Sequence, residues 1–598
     1  MSAPTPLCLA WFRREDHDAS RPIDPVTRSW LDALADRRHV RRFADGAAGI
    51  LSSEPLHASA HGTVGLRSQG DTAALLATLS DDDEDRLAGL QEPFAALVVR
   101  GDGRSLELFR DPLGQFPLFY QDNGQLLIAC TDLDLLLTRP GWRRRLDRDA
   151  ASHYLAFGTP GPGRTLEAGT RALPAAHALT LRSRAGPYLR RYWSPLAEPG
   201  TKLLEGEQQD ALRRELDDAI RGTVTGRGAA MLLSGGIDSG YIAHVLRNAG
   251  AADRVDAYTI HFTTPGVVDE CETAGRSALS AGIRHHTVSM SADDATARLA
   301  DVFGAAQPRS AWSTLTHAHL LDRIGADGHR ALLSGLGADE VFGGYSHYLK
   351  AYRRFYDRLD AQGDDDYERC LDDVLGRHDV AATTLFTGVP RFLDDDAMHQ
   401  ASGPLLAGWS HVGETIRFYR EAREIRPRAH LFELMVAHEC QHRVPDLLLA
   451  GFDADARRHD IAVRYPFLAP RLAGLACRLG ATERFAPIGD TWKNKIALRR
   501  MAAQVLPEDV FTRQPMTFGA PFLAWLAHAS FREAIARVLE GDNAWLDGLL
   551  DRAWVNALFR HVTALGNPTP PPPEAERLWA VVTLVAWYRK WIRSEEMG

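Results

Sequence analysis

The stretch MLLSGGIDSG, running from Met231 to Gly240, constrains this chain more than any other. The apolar run ending at Leu233 reads as a buried strand, Ser-Gly-Gly as a tight turn, and the residues after Ile237 as a first helical turn. That order builds a phosphate cradle, because the turn's N–H groups and the helix N-terminus face the anion. Gly235 and Gly236 let the backbone approach closely, and Ser234 and Ser239 add hydroxyl donors. A Walker loop would end in Lys-Ser/Thr; here Asp238 stands in the anion site instead. A carboxylate beside polyphosphate needs a cation between them, so Asp238 predicts Mg2+. Strands and helices alternate around the loop: AMLLS, a helix over 238–249 stopped at Gly250, VDAYTIHF, a helix over 270–281, then RHHTVSM. Such alternation predicts a parallel α/β sheet.

A chain of 598 residues is too long for one core, and its character changes near residue 200, so two domains are expected, 1–200 and 201–598. In the first, FAALVVR, SLELFRD, PLFYQ and QLLIACT are short apolar runs between turns, a β-meander pattern. After HRALLSGLGADEVFGGY the pattern is mostly helical, and the last helix carries a packing stripe of Leu578, Val582, Val585, Trp587, Tyr588 and Trp591. The acidic runs SDDDED (80–85), GDDDYE (363–368) and LDDD (393–396) are expected as loop surface, and NPTPPPPE (567–574) as an extended connector. The basic runs DRRHVRR (36–42) and RRRLDR (143–148) read as solvated faces. A net charge of −9 argues against a nucleic-acid binder, and no apolar run reaches the roughly 18 residues of a membrane span. Six scattered cysteines without a CxxC pair, and no basic segment before the first apolar patch, suit reduced thiols in a cytoplasm. Of 69 basic residues only five are lysine, the bias of a GC-rich bacterial genome, and two of them, Lys493 and Lys495, fall in TWKNKIALRR. A lysine kept against such drift marks a place for a compact point charge.

LLSGGIDSG resembles the PP-loop of the asparagine synthetase family, which cleaves ATP to AMP and pyrophosphate. LLSGLGADEVFGGY (332–345), RYPFLAP (464–470), KIALRRMAAQVLPEDVFTR (495–513), DPLGQFPLFY (111–120) and RYW (191–193) are similar to further blocks of that family, in order along nearly the whole chain. The resemblance implies an N-terminal Ntn-hydrolase-like (glutaminase-like) αββα domain, followed by a PP-loop α/β synthetase domain with a helical C-terminal part. By the same resemblance, Asp238 and Asp339 hold Mg2+ on the phosphates of ATP. Ser234, Gly235, Gly236 and Ser239 bind pyrophosphate, and Leu232, Ile260, Ser334 and Gly335 contact adenosine. Lys495 neutralises charge as an acyl-adenylate collapses, with Lys493 as a second candidate. Asp269 and Glu270 fit the family's DExxxA stretch; a plain helix-surface pair reads as well.

Three departures refine the expectation. Glutamine-using members carry a cysteine just after the initiator Met, where this chain has Ser2, and Cys8 reads as a buried strand thiol. The glutaminase substrate segments RGPD and NGEIYN are not found before GDTAALL (70–76), so the amine is expected from the substrate itself or from free ammonia. Leu336 stands where asparagine synthetases have Glu and β-lactam synthetases Tyr, and Ala462 and Ala469 replace the Glu and Asp of EVRxPFLD. The acceptor pocket, for which Leu336, Glu340 and Tyr345 are candidates, is therefore less polar and suits a bulky acid. Within the family, the cyclases that close the isopeptide ring of lasso peptides have this length, no glutaminase cysteine and a bulky substrate. That resemblance implies a core peptide freed of its leader as substrate, with a leader peptidase and a leader-binding protein as partners.

Two alternatives stay open: another amide synthetase of the family, β-lactam synthetase-like or ammonia-dependent, and an inactive scaffold whose first domain is an interaction platform. HECQH (438–442) is formally HExxH, the zinc motif with Glu439 as base. Pro445 is expected to break that helix, and no third ligand follows at the required spacing, so zinc is disfavoured. His261, His317, His319 and His347 are candidate bases for the amine if they reach the cleft.

Overall fold

The computed structural model describes residues 7–595 apart from 14–22, 36–38, 44–47, 54, 60–61, 69–71, 82–83, 183–184, 198–204, 225–227, 346–347, 350–394, 402–410, 428, 430, 489–490, 513–519, 541–547 and 569–570. Ser2, His347, GDDDYE (363–368) and Cys370 therefore lie outside the described residues.

The first half folds as two antiparallel sheets. Strands β1 (Cys8–Arg13), β2 (His39–Phe43), β3 (Ala48–Ser52), β8 (Phe119–Asp122), β9 (Leu126–Cys130) and β10 (Thr170–Ala172) form one, in the order β10-β8-β9-β1-β3-β2. Strands β4 (His57–Ser59), β5 (Gly62–Ser68), β6 (Phe94–Arg100), β7 (Ser105–Arg110), β11 (His177–Arg182) and β12 (Ala185–Arg191) form the other, in the order β12-β11-β7-β6-β5-β4. Side chains alternate between the faces of a strand, so one run can serve two cores. FAALVVR does this: Ala95, Leu97 and Val99 pack between the sheets. Phe94, Ala96 and Val98 face the other way, onto Leu75, Leu79 and Leu87 of helices Thr72–Asp81 and Glu84–Ala88. In the first sheet Cys8, Ala10 and Phe12 of β1 point to the inter-sheet core, and Leu9 and Trp11 to the outer side with Leu136, Tyr154 and Leu155. The layers are therefore helix, sheet, sheet, helix, as the family resemblance implies. Cys8 is 1 % exposed, its thiol 3.3 Å from the Ser52 hydroxyl.

The second half opens with helix Glu205–Thr223 and contains a five-stranded parallel sheet. Its strands are β13 (Ala229–Leu232), β14 (Val255–Phe262), β15 (Arg284–Met290), β16 (Ala331–Leu333) and β17 (Ala462–Arg464), in the order β15-β14-β13-β16-β17. The chain steps outward from β13 through β14 to β15, then returns to β16 on the other flank of β13. Such a reversal leaves a crevice at the strands' C-terminal ends. β14 and β15 coincide with the expected runs, and helices Ile237–Asn248 and Cys271–Ala281 begin and end within one residue of the expected spans.

Several expectations are corrected. The helix bearing HECQH is not broken by Pro445: Leu431–His438 continues as a π-helix over Glu439–Leu449 and as Ala450–Arg458. A π-turn draws each N–H to the carbonyl five residues back, and this wider turn accommodates a proline ring that would clash with the i−4 carbonyl. The last helix, Pro573–Trp591, is buried on every side rather than along a stripe, and it begins inside the presumed connector with Pro at its first turn. Helix Asp395–Ala401 starts within LDDD, and Glu84–Ala88 within SDDDED, because acidic residues suit the positive end of a helix.

The halves are joined by buried polar contacts. Arg67 on β5 pairs with Asp453 at 2.9 Å, both under a tenth exposed, and Arg457 reaches the same carboxylate at 3.2 Å. The Gln115 amide donates to the Leu468 carbonyl, and the Tyr154 hydroxyl lies 2.7 Å from that of Thr583 on the last helix. Among the described residues no helix is long and apolar enough to cross a membrane.

Candidate functional site

The crevice is built on loops that leave β13 and β16. After β13, Leu233 donates to the Tyr258 carbonyl, and the chain turns through Ser234–Gly236 into helix Ile237–Asn248. The Ser234 hydroxyl accepts from Gly236 N–H at 3.1 Å. The Ser239 hydroxyl accepts from Ser234 N–H at 3.1 Å, so the loop is ordered by its own side chains. The first N–H groups of the helix lack intrahelical acceptors and are available to an anion. Gly235 lies flush on helix Cys271–Ala281: a Cβ there would come within 2.9 Å of Thr273 Cβ.

Asp238 in the first turn of this helix, Asp339 in the first turn of Ala338–Phe342, and Lys495 at the start of Ile496–Ala503 converge. Lys495 Nζ lies 2.7 Å from Asp238 Oδ2 and 2.8 Å from Asp339 Oδ1. Lys495 is 8 % exposed and holds a left-handed backbone, φ +51°, unusual for a side-chain-bearing residue. Burial works against its charge, but the two carboxylates outweigh this and hold its pKa well above the ordinary lysine value. Burial pushes the Asp238 carboxyl up, against the pull of Lys495. Asp238 Oδ1 is buried without a hydrogen-bond partner. Two carboxylates, one with an unsatisfied oxygen, at a helix N-terminus fit a hard divalent cation.

Sequence reasoning missed the backing of this triad. Gly344 passes so close that a Cβ there would overlap the Asp339 carboxylate and the Lys495 chain. The Asn494 amide donates to the Gly344 carbonyl, and Arg499 Nε donates to the Asn494 carbonyl at 2.7 Å. The GG of FGGY was the signal available for Gly344; nothing in the sequence singles out Asn494.

The other predicted residues scatter around the crevice. Leu232 ends β13, Ile260 lies in β14, and Ser334 and Gly335 follow β16; all four are buried or nearly so. Gly335 sits against Asp238. Lys493 lies in the short hairpin of β18 (Ala486–Ile488) and β19 (Thr491–Lys493), apart from the convergence. Asp269 accepts from Cys271 N–H at 3.0 Å and lies 2.6 Å from His261 Nδ1. Glu270 is the N-cap position of helix Cys271–Ala281 and makes no side-chain cap bond. His319 Nε2 lies 2.9 Å from the Ser289 carbonyl.

Glu340 is 2 % exposed, hydrogen-bonded by the Tyr345 hydroxyl and 3.6 Å from Arg443, and burial pushes its carboxyl up. Arg443 also pairs with Glu439 at 3.0 Å and stacks on Tyr345. The Glu of HECQH is thus committed to an arginine, and among the described residues His438 and His442 belong to no three-ligand cluster. Their rings, 5.1 Å apart, instead line a cavity of about 300 Å3 between helices Arg148–Phe157 and His411–Ile425. A smaller cavity, about 60 Å3, contains Leu336 and His317, and Asp446 borders both.

Comparison with known proteins agrees with this layout. A glutamine amidotransferase domain model matches residues 55–193, and the asparagine synthase model matches residues 211–589. A Mycobacterium tuberculosis protein named "Putative asparagine synthetase (glutamine-hydrolyzing)" is 25% identical over 583 residues, 94% of this chain and 85% of its own length. Asparagine synthetase (glutamine-hydrolyzing) 1 of Bacillus subtilis is 22% identical over 541 residues, 87% and 80% of the two chains. The fungal amidase chry2 of Gibberella zeae is 24% identical over 282 residues, 44% and 41% of the two chains. With its two-layer amidotransferase-like half and a synthase model matched over more than half of its length, the chain belongs to the asparagine synthase family.

Proposed function

We infer the reaction from the family, whose members are ATP-dependent amide-forming ligases. We propose that this one is a lasso peptide cyclase: it adenylates an Asp or Glu side chain of a leader-free precursor, and the peptide's own N-terminal amine displaces AMP to close a macrolactam. The observation that carries this reading is Leu336. An aliphatic side chain in the wall of the small cavity can neither position a small amine nor relay its proton. Ala462 and Ala469 likewise stand where the family's EVRxPFLD block carries Glu and Asp.

In this reading Asp238 and Asp339 hold Mg2+, whose role is to offset the phosphate charge. Ser234, Ser239 and the N–H groups of the loop hold the pyrophosphate. Lys495 provides a fixed positive charge, already desolvated, where negative charge grows as AMP leaves. The protein must hold the peptide folded back on itself, since ring closure depends on effective molarity.

A second reading, an asparagine synthetase that takes free ammonia, is favoured by the near full-length match to proteins named as glutamine-hydrolyzing asparagine synthetases. Mass spectrometry of the protein with ATP, Mg2+ and linear peptides bearing a free N-terminus and an internal acidic residue separates the two. Loss of one water from a peptide together with AMP supports the cyclase. AMP formed with aspartate and ammonia, and unchanged peptides, overturns it in favour of the second reading.

A further inference from the structure

The larger cavity lies on the seam between the two halves, walled by His153 and Phe157 from the first and by Phe418, His438 and His442 from the second. Its volume, about 300 Å3, is at the lower end for ligand pockets and fits the end of a peptide rather than a folded one. Asp446 borders both this cavity and the small one that holds Leu336, so the two adjoin at that carboxylate.

The charged groups around the larger cavity leave one carboxylate open to a cation. The three arginines that line it have partners: Arg443 holds Glu439 and Glu340, Arg164 lies 3.5 Å from Asp149, and Arg417 is engaged as well. Glu421 is likewise engaged, 3.6 Å from Arg191. Burial holds the His438 imidazole down at about 4 and that of His442 well below the ordinary histidine value, so both are neutral at pH 7. Asp446 is different. Its partner Arg110 stands off at 3.7 Å and spends its donors on the carbonyls of Phe116, Leu173 and Gly114. A 17 % exposed carboxylate with one long ion pair is therefore turned to the cavity, beside two phenyl rings whose faces suit a cation.

We propose that this seam is the acyl-acceptor site, where the free α-amine of a peptide substrate is held by the Asp446 carboxylate and the neutral histidines before it reaches the crevice past Leu336. The inference rests on the amide-forming reading above and names where its amine enters.

The test uses the full-length protein and a tripeptide amide with a free α-amine and photoleucine at its second position, beside its N-acetyl form. Irradiation should label 148–164 and 417–446 with the free amine, and acetylation or Asp446→Asn should lower labelling about tenfold or more, as expected for loss of one charged hydrogen bond. Pro162→Trp, at the exposed rim, should lower it too, and serves if Asp446→Asn melts early. Equal labelling by the acetylated probe, or full labelling in both variants, overturns the proposal. AMP production is measured separately: AMP without amine-selective labelling sinks the seam alone, whereas amine-selective labelling without AMP sinks the cyclase reading alone.

Discussion

The two halves have kept different things. The sandwich half keeps apolar alternation and layer order, while its first-strand thiol, Cys8, is packed away against Ser52. The synthase half keeps three charged groups that a stable fold does not ask for, since Lys495 and Asp238 meet Asp339 where burial penalises the charge of the first two. A protein retains costly buried charge at a crevice when chemistry needs it. The contrast assigns the first half to support and the second to reaction.

The sharpest way to break this contrast is to exchange roles by mutation. Asp238→Asn and Lys495→Ala should each cut AMP formation by about 1,000-fold or more, whereas Cys8→Ser should leave it unchanged, measured by pyrophosphate release. Loss of activity in Cys8→Ser with the fold intact would restore a catalytic role to the first half. Gly344→Ala should cost about 100-fold, because the added methyl must displace Asp339 or Lys495, with thermal melting to separate activity from folding.

The contact between the halves can be tested apart from chemistry. Asp453→Ala leaves Arg67 and Arg457 buried without their shared carboxylate and should cost about 3–5 kcal/mol in denaturant unfolding. The triple change Arg67→Met, Arg457→Met and Asp453→Leu, which removes all three charges, should recover much of it. The smallest effect concerns pH. Burial holds His177, His317 and His438 at about 4, below the ordinary 6.5, so the unfolded chain binds protons first on acidification. Stability is full above pH 6.5 and should fall as pH drops from 6.5 to 4, by no more than about 3 kcal/mol for each group. A flat stability profile across that window would show these histidines to be hydrated.

The sequence made the crevice legible and hid most of its setting. β14 and β15 were readable because each is a continuous run between turn residues, and Asp238 because a carboxylate in a phosphate loop has few explanations. β17 was not: three residues, Ala462–Arg464, are too short to show a period. Pro445 misled because a proline forbids an α-turn, whereas the chain answers with a π-turn. Arg443 and Asp446 were invisible because their meaning lies in partners more than 90 residues away, Glu340 and Arg110.

The shared carboxylate of Asp453 also bears on heredity. Arg67 is encoded near one end of the gene and Asp453 toward the other, and the buried charge of the arginine is answered by that carboxylate. Recombination that gave the sandwich a foreign synthase half would orphan Arg67, and shedding the sandwich would leave Asp453 with Arg457 alone. The amidotransferase-like half can thus persist in the lineage long after any reaction of its own, held there by a debt of charge rather than by catalysis.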